Sequence, residues 1–180
     1  MLEIETLHTI DTEQSADSVE WCRTPNYQDY FVCGTYELQE NEEEESSRVR
    51  KGRIYLYKYD MELNELQLKS TINTNAILDQ KWIENSLVTA TSAGDVECYK
   101  LGNQLDFIDK MRLTDVDEEV LALSVDVNGT SRKVLVSDSR GLVTLVDLAS
   151  MKVETSWMAH EFEAWTCAFD KWNGNVVFTG

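Results

Sequence analysis

The chain has 180 residues, enough for one ordinary domain with its own core, and its 42% hydrophobic and 9% aromatic content excludes wholesale disorder. Sixteen Lys and Arg against 33 Asp and Glu leave a net charge of −17, a surface that phosphate repels, so no direct nucleic-acid partner is expected. No apolar run approaches the ~18 residues that span a bilayer, and residues 1–5 lack the basic flank and apolar stretch of a signal peptide, so the expectation is a cytoplasmic protein with no membrane partner.

A first strand-like stretch covers 2–10. Alternation and β-branched or aromatic enrichment then predict strands at 18–21, 30–36, 52–59 and, more weakly, 66–71. Five glutamates within 40–45 read as a solvated loop between the second and third of these. The order repeats without that insertion at 76–82, 86–91, 94–101 and 104–111. It repeats again at 120–127, 133–137, 141–148 and 153–158. A fourth unit begins with 165–169 and 176–179.

The ends of the first strands, at Trp21, Trp82, Val125 and Phe169, are 61, 43 and 44 residues apart. A period of roughly 40–45 residues built of short strands alone marks a β-propeller blade. The third strand of each complete unit opens with a glycine (Gly52, Gly94, Gly141), as a turn needing positive φ or a close backbone approach requires. The expected fold is therefore all-β, an incomplete propeller of about three and a half four-stranded blades. Its blades lie at 18–72 (with an acidic insertion at 39–50), 73–113, 118–160 and 161–180, the last one truncated. Residues 1–17 are read as a strand that latches a missing last blade. Closed propellers have about four to eight blades, so a fragment or truncated product is expected. An open arc leaves apolar faces that missing C-terminal blades or a capping partner must cover.

Five segments carry more than the repeat. SADSVEWC at 15–22, CGTYEL at 33–38, GRIYLY at 52–57, AILDQKW at 76–82 and AHEFEAW at 159–165 occur in this order. Together they resemble the N-terminal half of the diphthine methylesterase family, the WD-repeat proteins of diphthamide biosynthesis. The resemblance runs from about residue 8 to the end. Generic WD signals are weaker. The Trp-Asp position ending the third strand reads Tyr57-Lys58, Tyr99-Lys100 and Val146-Asp147, and Lys51, Ala93 and Arg140 stand before the glycines where many WD repeats carry aspartate. These blades are expected to lack the usual buried Asp-His-Ser/Thr-Trp network and to depend on apolar packing.

The resemblance implies a hydrolase of diphthamide biosynthesis that acts on a methyl ester. Its substrate would be methylated diphthine, an over-methylated histidine modification on translation elongation factor 2, and no cofactor is implied. The 180 residues alone are expected to be inactive. The alternative is a non-catalytic WD-repeat interaction platform, since fold does not fix function.

Ester hydrolysis needs an activated water or nucleophile and donors for the developing oxyanion. There is no G-x-S-x-G elbow and no Gly-rich phosphate loop. Two histidines, His8 and His160, make no zinc cluster, and Asp115, Asp117, Glu118 and Glu119 lack the glycine and spacing of a calcium loop, so no metal is expected. His160 is the candidate base, with Glu161 and Glu163 close in sequence. A histidine at this loop more often pins one blade to the next through an aspartate, which here would fall after Gly180. A quaternary ammonium on the substrate is best held by aromatic faces and carboxylates, which Trp165 with Glu163 and Tyr36 with Glu37 supply. Burial habits favour a core role for Trp21, Trp82 and Trp165. Ser137 and Ser139 are candidate nucleophiles that more often build a turn with Asp138. Cys22, Cys33, Cys98 and Cys167 show no paired spacing and read as reduced thiols.

Overall fold

The computed structural model describes residues 4–40, 48–115 and 119–180. These hold fourteen strands and no helix, hence no helix long and apolar enough to cross a membrane. The first sheet consists of β1 (Ser15–Trp21), β2 (Tyr30–Glu40), β3 (Arg48–Asp60) and β4 (Glu65–Asn75). The second comprises β5 (Ile77–Ile83), β6 (Ser86–Thr91), β7 (Asp95–Leu101) and β8 (Leu105–Arg112). The third contains β9 (Ala122–Asn128), β10 (Lys133–Asp138), β11 (Leu142–Asp147) and β12 (Lys152–Met158). The pair β13 (Cys167–Phe169) and β14 (Val177–Thr179) forms the fourth. Every pairing is antiparallel between consecutive strands, and β1, β5, β9 and β13 stand side by side as inner strands. The architecture is an arc of a β-propeller.

Strand alternation explains how the arc holds together. Along β2, Val32 points to the second sheet and joins Ile54, Leu56, Leu87, Tyr99 and Leu101, while its neighbours Phe31 and Cys33 point the other way and meet Tyr55 and Tyr57. The second sheet is covered on both faces, and every residue of β6 is buried. Between the second and third sheets Val88, Ala90 and Val96 meet Val125, Val134 and Val136, and between the third and fourth Leu135 and Val143 meet Ala164 and Cys167. Each buried valine, leucine or isoleucine among them contributes about 1.5–3 kcal/mol by leaving water.

Polar rungs reinforce this packing, so the expectation of apolar packing is amended. Asp79 Oδ2 on β5 accepts hydrogen bonds from Ser124 Oγ (3.0 Å) and Val125 N (2.9 Å) on β9. Asp126 Oδ2 on β9 accepts one from Phe169 N on β13 at 2.7 Å. Gln80 and Trp82 reach back, donating to Ser18 O and Glu20 O, each at 3.1 Å.

The strand-opening glycines have two separate causes. Gly94 and Gly141 have φ of 71° and 83°, whereas a Cβ on Gly52 would lie 2.3 Å from Thr35 O and 2.7 Å from Ala76 Cα. Behind each glycine the next residue donates its N–H to a side-chain oxygen of the second strand. These bonds run from Arg53 to Thr35 Oγ1 (2.8 Å), Asp95 to Thr91 Oγ1 (3.2 Å) and Leu142 to Asp138 Oδ1 (3.2 Å). A turn aspartate, Asp138, therefore does occur in the third sheet, two residues before Arg140.

Two expectations are corrected. Strands β2 and β3 continue past their predicted ends and pair through Glu37↔Lys51 to Glu40↔Arg48, so the insertion at 39–50 is strand at both its ends. The part of the glutamate run from 41 to 45 lies outside the described residues. Of the stretch 2–10, the described residues 4–10 lie in no strand. Residues 8–13 contact the first sheet: His8 meets the Tyr59 ring edge-on at 5.8 Å, Tyr55 Oη donates to Thr12 O at 2.9 Å, and Arg53 pairs with Glu13 at 2.6 Å.

Candidate functional site

One irregularity recurs in three inner strands and builds the site. In β1 the register skips Asp17, in β5 it skips Leu78, and in β9 it skips Leu123, each time beside the second-strand residue that caps the following turn. A bulged residue is unpaired in the ladder and its side chain is re-aimed. All three side chains line one cavity of about 530 Å³, together with Leu121, Tyr36, Arg50 and Trp165. Three sheets and the loop before β13 thus contribute to a space of the size that holds one small molecule or one modified side chain.

Its chemistry is uneven. Leu78, Leu121 and Leu123 supply an apolar wall from the second and third sheets. The first sheet supplies the charges. Asp17, exposed at the cavity, has its carboxyl held above the usual range by partial desolvation, and further by the negative charge of Asp79. Arg50, partly buried, pairs with Glu119 and bonds Tyr36. Burial pulls the guanidinium down, but those two hydrogen bonds outweigh it and keep its pKa above the ordinary value. Trp165 is 67% exposed and closes the cavity from the loop before β13. An acid, two aromatic rings and leucines suit an alkylated cation, and a guanidinium suits a carboxyl group.

The sequence candidates separate on this geometry. Tyr36 of the CGTYEL segment and Trp165 of the AHEFEAW segment, 129 positions apart, meet in the cavity. Glu37 is engaged elsewhere, accepting from Gln14 at 3.0 Å and Gln39 at 2.7 Å, and Glu163 is exposed outside the lining. His160 Nε2 lies 2.9 Å from Thr179 Oγ1 on β14, joining the loop after β12 to the fourth sheet. Glu161 beside it is exposed. Ser139 Oγ accepts from Leu121 N at 3.0 Å, and Asp138 accepts from Arg140 N and Leu142 N, so this segment is a turn. Ser137 is fully buried. The core role expected of Trp21 and Trp165 is corrected: Trp21 is 41% exposed and stacks on Phe31 at 5.1 Å, and Trp165 is exposed, whereas Trp82 packs against a core. All four cysteines are free and buried, and burial pushes the Cys167 thiol up to about 11. No group of three or more metal-ligating side chains occurs among the described residues; Asp117 and Glu118 lie outside them.

Asp17 and Arg50 were missed by sequence reasoning. Asp17 lies inside the SADSVEW segment, where it breaks the alternation, and that break is the trace of the bulge.

A second cavity, about 720 Å³, lies at the other end of β9 between the turns 128–131 and 170–175, beside the exposed Trp172. Its polar groups are occupied by the turns themselves. Asn128 Oδ1 accepts from Thr130 N and Ser131 N, and Asp170 Oδ1 from Trp172 N and Asn173 N.

No family model matches the chain. It is similar to proteins named diphthine methyltransferase: 31% identical to that of Homo sapiens and 33% to that of Mus musculus, each over 97% of this chain, and 30% to that of Schizosaccharomyces pombe over 93%. The matches take in 46%, 42% and 52% of those proteins, so the chain spans about half the length of these relatives. Among solved structures, Sqt1 from Chaetomium thermophilum superposes over 87% of this chain and 38% of its own, with a TM-score of 0.65 at 13% identity, a likeness of fold alone.

Proposed function

The chain belongs, over the half of their length that it spans, to the family of the diphthine methyltransferases, and on that premise we propose that it contributes the substrate cavity of a methyl-ester hydrolase of diphthamide biosynthesis. The substrate is methylated diphthine on translation elongation factor 2. Water replaces methanol at the ester carbonyl, and the product is the free acid. One observation carries the reading: bulged positions of three inner strands converge with Tyr36 and Trp165 on a cavity that pairs aromatic faces with a carboxylate, as a side chain bearing a quaternary ammonium requires. His160 serves as a pin between the third and fourth sheets rather than as the base.

The activity belongs to a protein of the relatives' full length, of which this chain spans about half. The test uses fission yeast lacking its relative. Cells receive this chain alone, or this chain followed by the unmatched part of that relative, and the modified histidine is weighed by mass spectrometry. The joined protein removes the methyl ester, and this chain alone leaves it in place. Ester that persists with a folded joined protein rejects the hydrolase reading.

A non-catalytic binding platform is the second reading, since a propeller fold does not fix function. It predicts no change in the ester with either protein.

A further inference from the structure

The cavity has two chemical poles, and the established likeness to other proteins assigns neither. We infer that Arg50 is the carboxyl-reading residue of a site for small zwitterions, with Asp17, Tyr36 and Trp165 holding the alkylated ammonium, so that the free acid binds more tightly than its methyl ester. The inference rests on the hydrolase reading for the choice of occupant and deepens it by assigning the two ends of the ligand.

Arg50 fits the task by position and by present company. It lies on β3 beside the cavity, and its guanidinium bonds both Tyr36 and Glu119. Glu119 is 69% exposed, and an ion pair at such a site is worth little. A ligand carboxylate within the cavity therefore displaces Glu119 at small cost and takes two parallel N–H···O bonds from the fork. A methyl ester keeps only one strong acceptor, the carbonyl oxygen, and carries no charge. The ammonium end meets the opposite demand: three alkyl groups remove its hydrogen-bond donors, leaving ring faces, apolar wall and the Asp17 charge to attract it. The leucines of the second and third sheets fill the remaining wall and have no polar partner to offer. The two charged side chains that line the cavity, Asp17 and Arg50, thus both lie on the first sheet.

The consequence is retention of product. A charge-assisted bond pair lost from the acid corresponds to about a tenfold weaker affinity or more.

The probes are N,N,N-trimethylhistidine and its methyl ester, titrated by calorimetry into the 180-residue chain. The expected result is acid bound about tenfold more tightly than ester, with Arg50→Gln bringing the two to equality and Asp17→Asn weakening both. Arg50→Lys, which keeps the charge and loses the fork, falls between. Equal affinities in the unaltered chain, an acid preference that survives in a folded Arg50→Gln protein, or binding of neither probe overturns the inference. The outcomes are separable from those of the yeast test. Acid-selective binding with an untouched ester in cells keeps this inference and rejects the hydrolase reading, whereas ester removal with equal probe affinities does the reverse.

Discussion

The first and third sheets carry the same bulge near the start of their inner strands, yet one presents Asp17 to the cavity and the other Leu123. The backbone device is shared and only the side chain differs. The cap behind it shows the same division of labour: Thr35, Thr91 and Asp138 all accept the N–H behind the strand-opening glycine, although their chemistry differs. A repeat fold thus fixes where a residue points, and a single substitution decides what it does there. The first sheet uses its bulge for charge, and the others use theirs for packing.

Breaking the shared device has the largest effect. A Cβ on Gly141 would meet His160 O at 2.2 Å and Phe162 O at 2.4 Å, at a φ that L-residues avoid. Gly141→Ala is expected to cost about 3 kcal/mol in urea unfolding. Gly102→Ala, with open space around it, is the control and costs far less. Asp138→Ala comes next. It strips the buried cap from two N–H groups and leaves Arg140 without its partner, at about 2–3 kcal/mol. Thr91→Ala removes one bond of the same kind and costs about 1 kcal/mol.

Exchanging side chains across the comparison sharpens it. Leu123→Asp puts a charge where the third sheet has a buried apolar wall, with an expected loss of about 2 kcal/mol by thermal melting. Asp17→Leu leaves the melting transition within about 0.5 kcal/mol, because Asp17 is exposed toward the cavity, but removes binding of the trimethylammonium probe. Equal losses of stability would show that the two bulges play one structural role.

The smallest effect is read in pH. Asp17 has a folded pKa above its unfolded value, so the folded state binds the proton more readily, and stability falls as pH rises through the ordinary carboxylate range toward that raised value. Asp147 behaves oppositely. Bonds from Ser150 and Lys133 lower it to about 2, so its contribution is present above its ordinary value and lost as pH falls toward 2. In acid titrations of stability, Asp147→Asn should flatten the loss between about pH 4 and 2, and Asp17→Asn should remove the decline on the rising side.

Most strands were legible from β-branched and aromatic enrichment between turn residues: β6 and β7, buried almost throughout, start and end within a residue of their predicted limits. The arc was legible from the spacing of Trp82, Val125 and Phe169. The site was only half legible. Tyr36 and Trp165 stood out by residue type, but a bulge adds one residue and reverses the facing of the next positions along the strand, which disguised Asp17 as an ordinary polar position. Arg50 lay in a segment read as loop, because the acidic run hid the continued pairing of Leu38 with Arg50. Burial habits favour a core place for Trp165 over the substrate-binding role its ring also offers, and it sits ahead of the strand β13 rather than in it.

The most direct test of the cavity uses the indole signals of the chain itself. N,N,N-trimethylhistidine is titrated into isotope-labelled protein and the tryptophan side-chain N–H resonances are followed by NMR. Trp165 lines the proposed cavity and Trp172 stands beside the other one, so each reports one site. A saturable shift of Trp165, with Trp172 unmoved and the response lost in Asp17→Leu, is the predicted result. A shift confined to Trp172, or a Trp165 shift unaffected by Asp17→Leu, would contradict the assignment of the bulged aspartate to the ligand site.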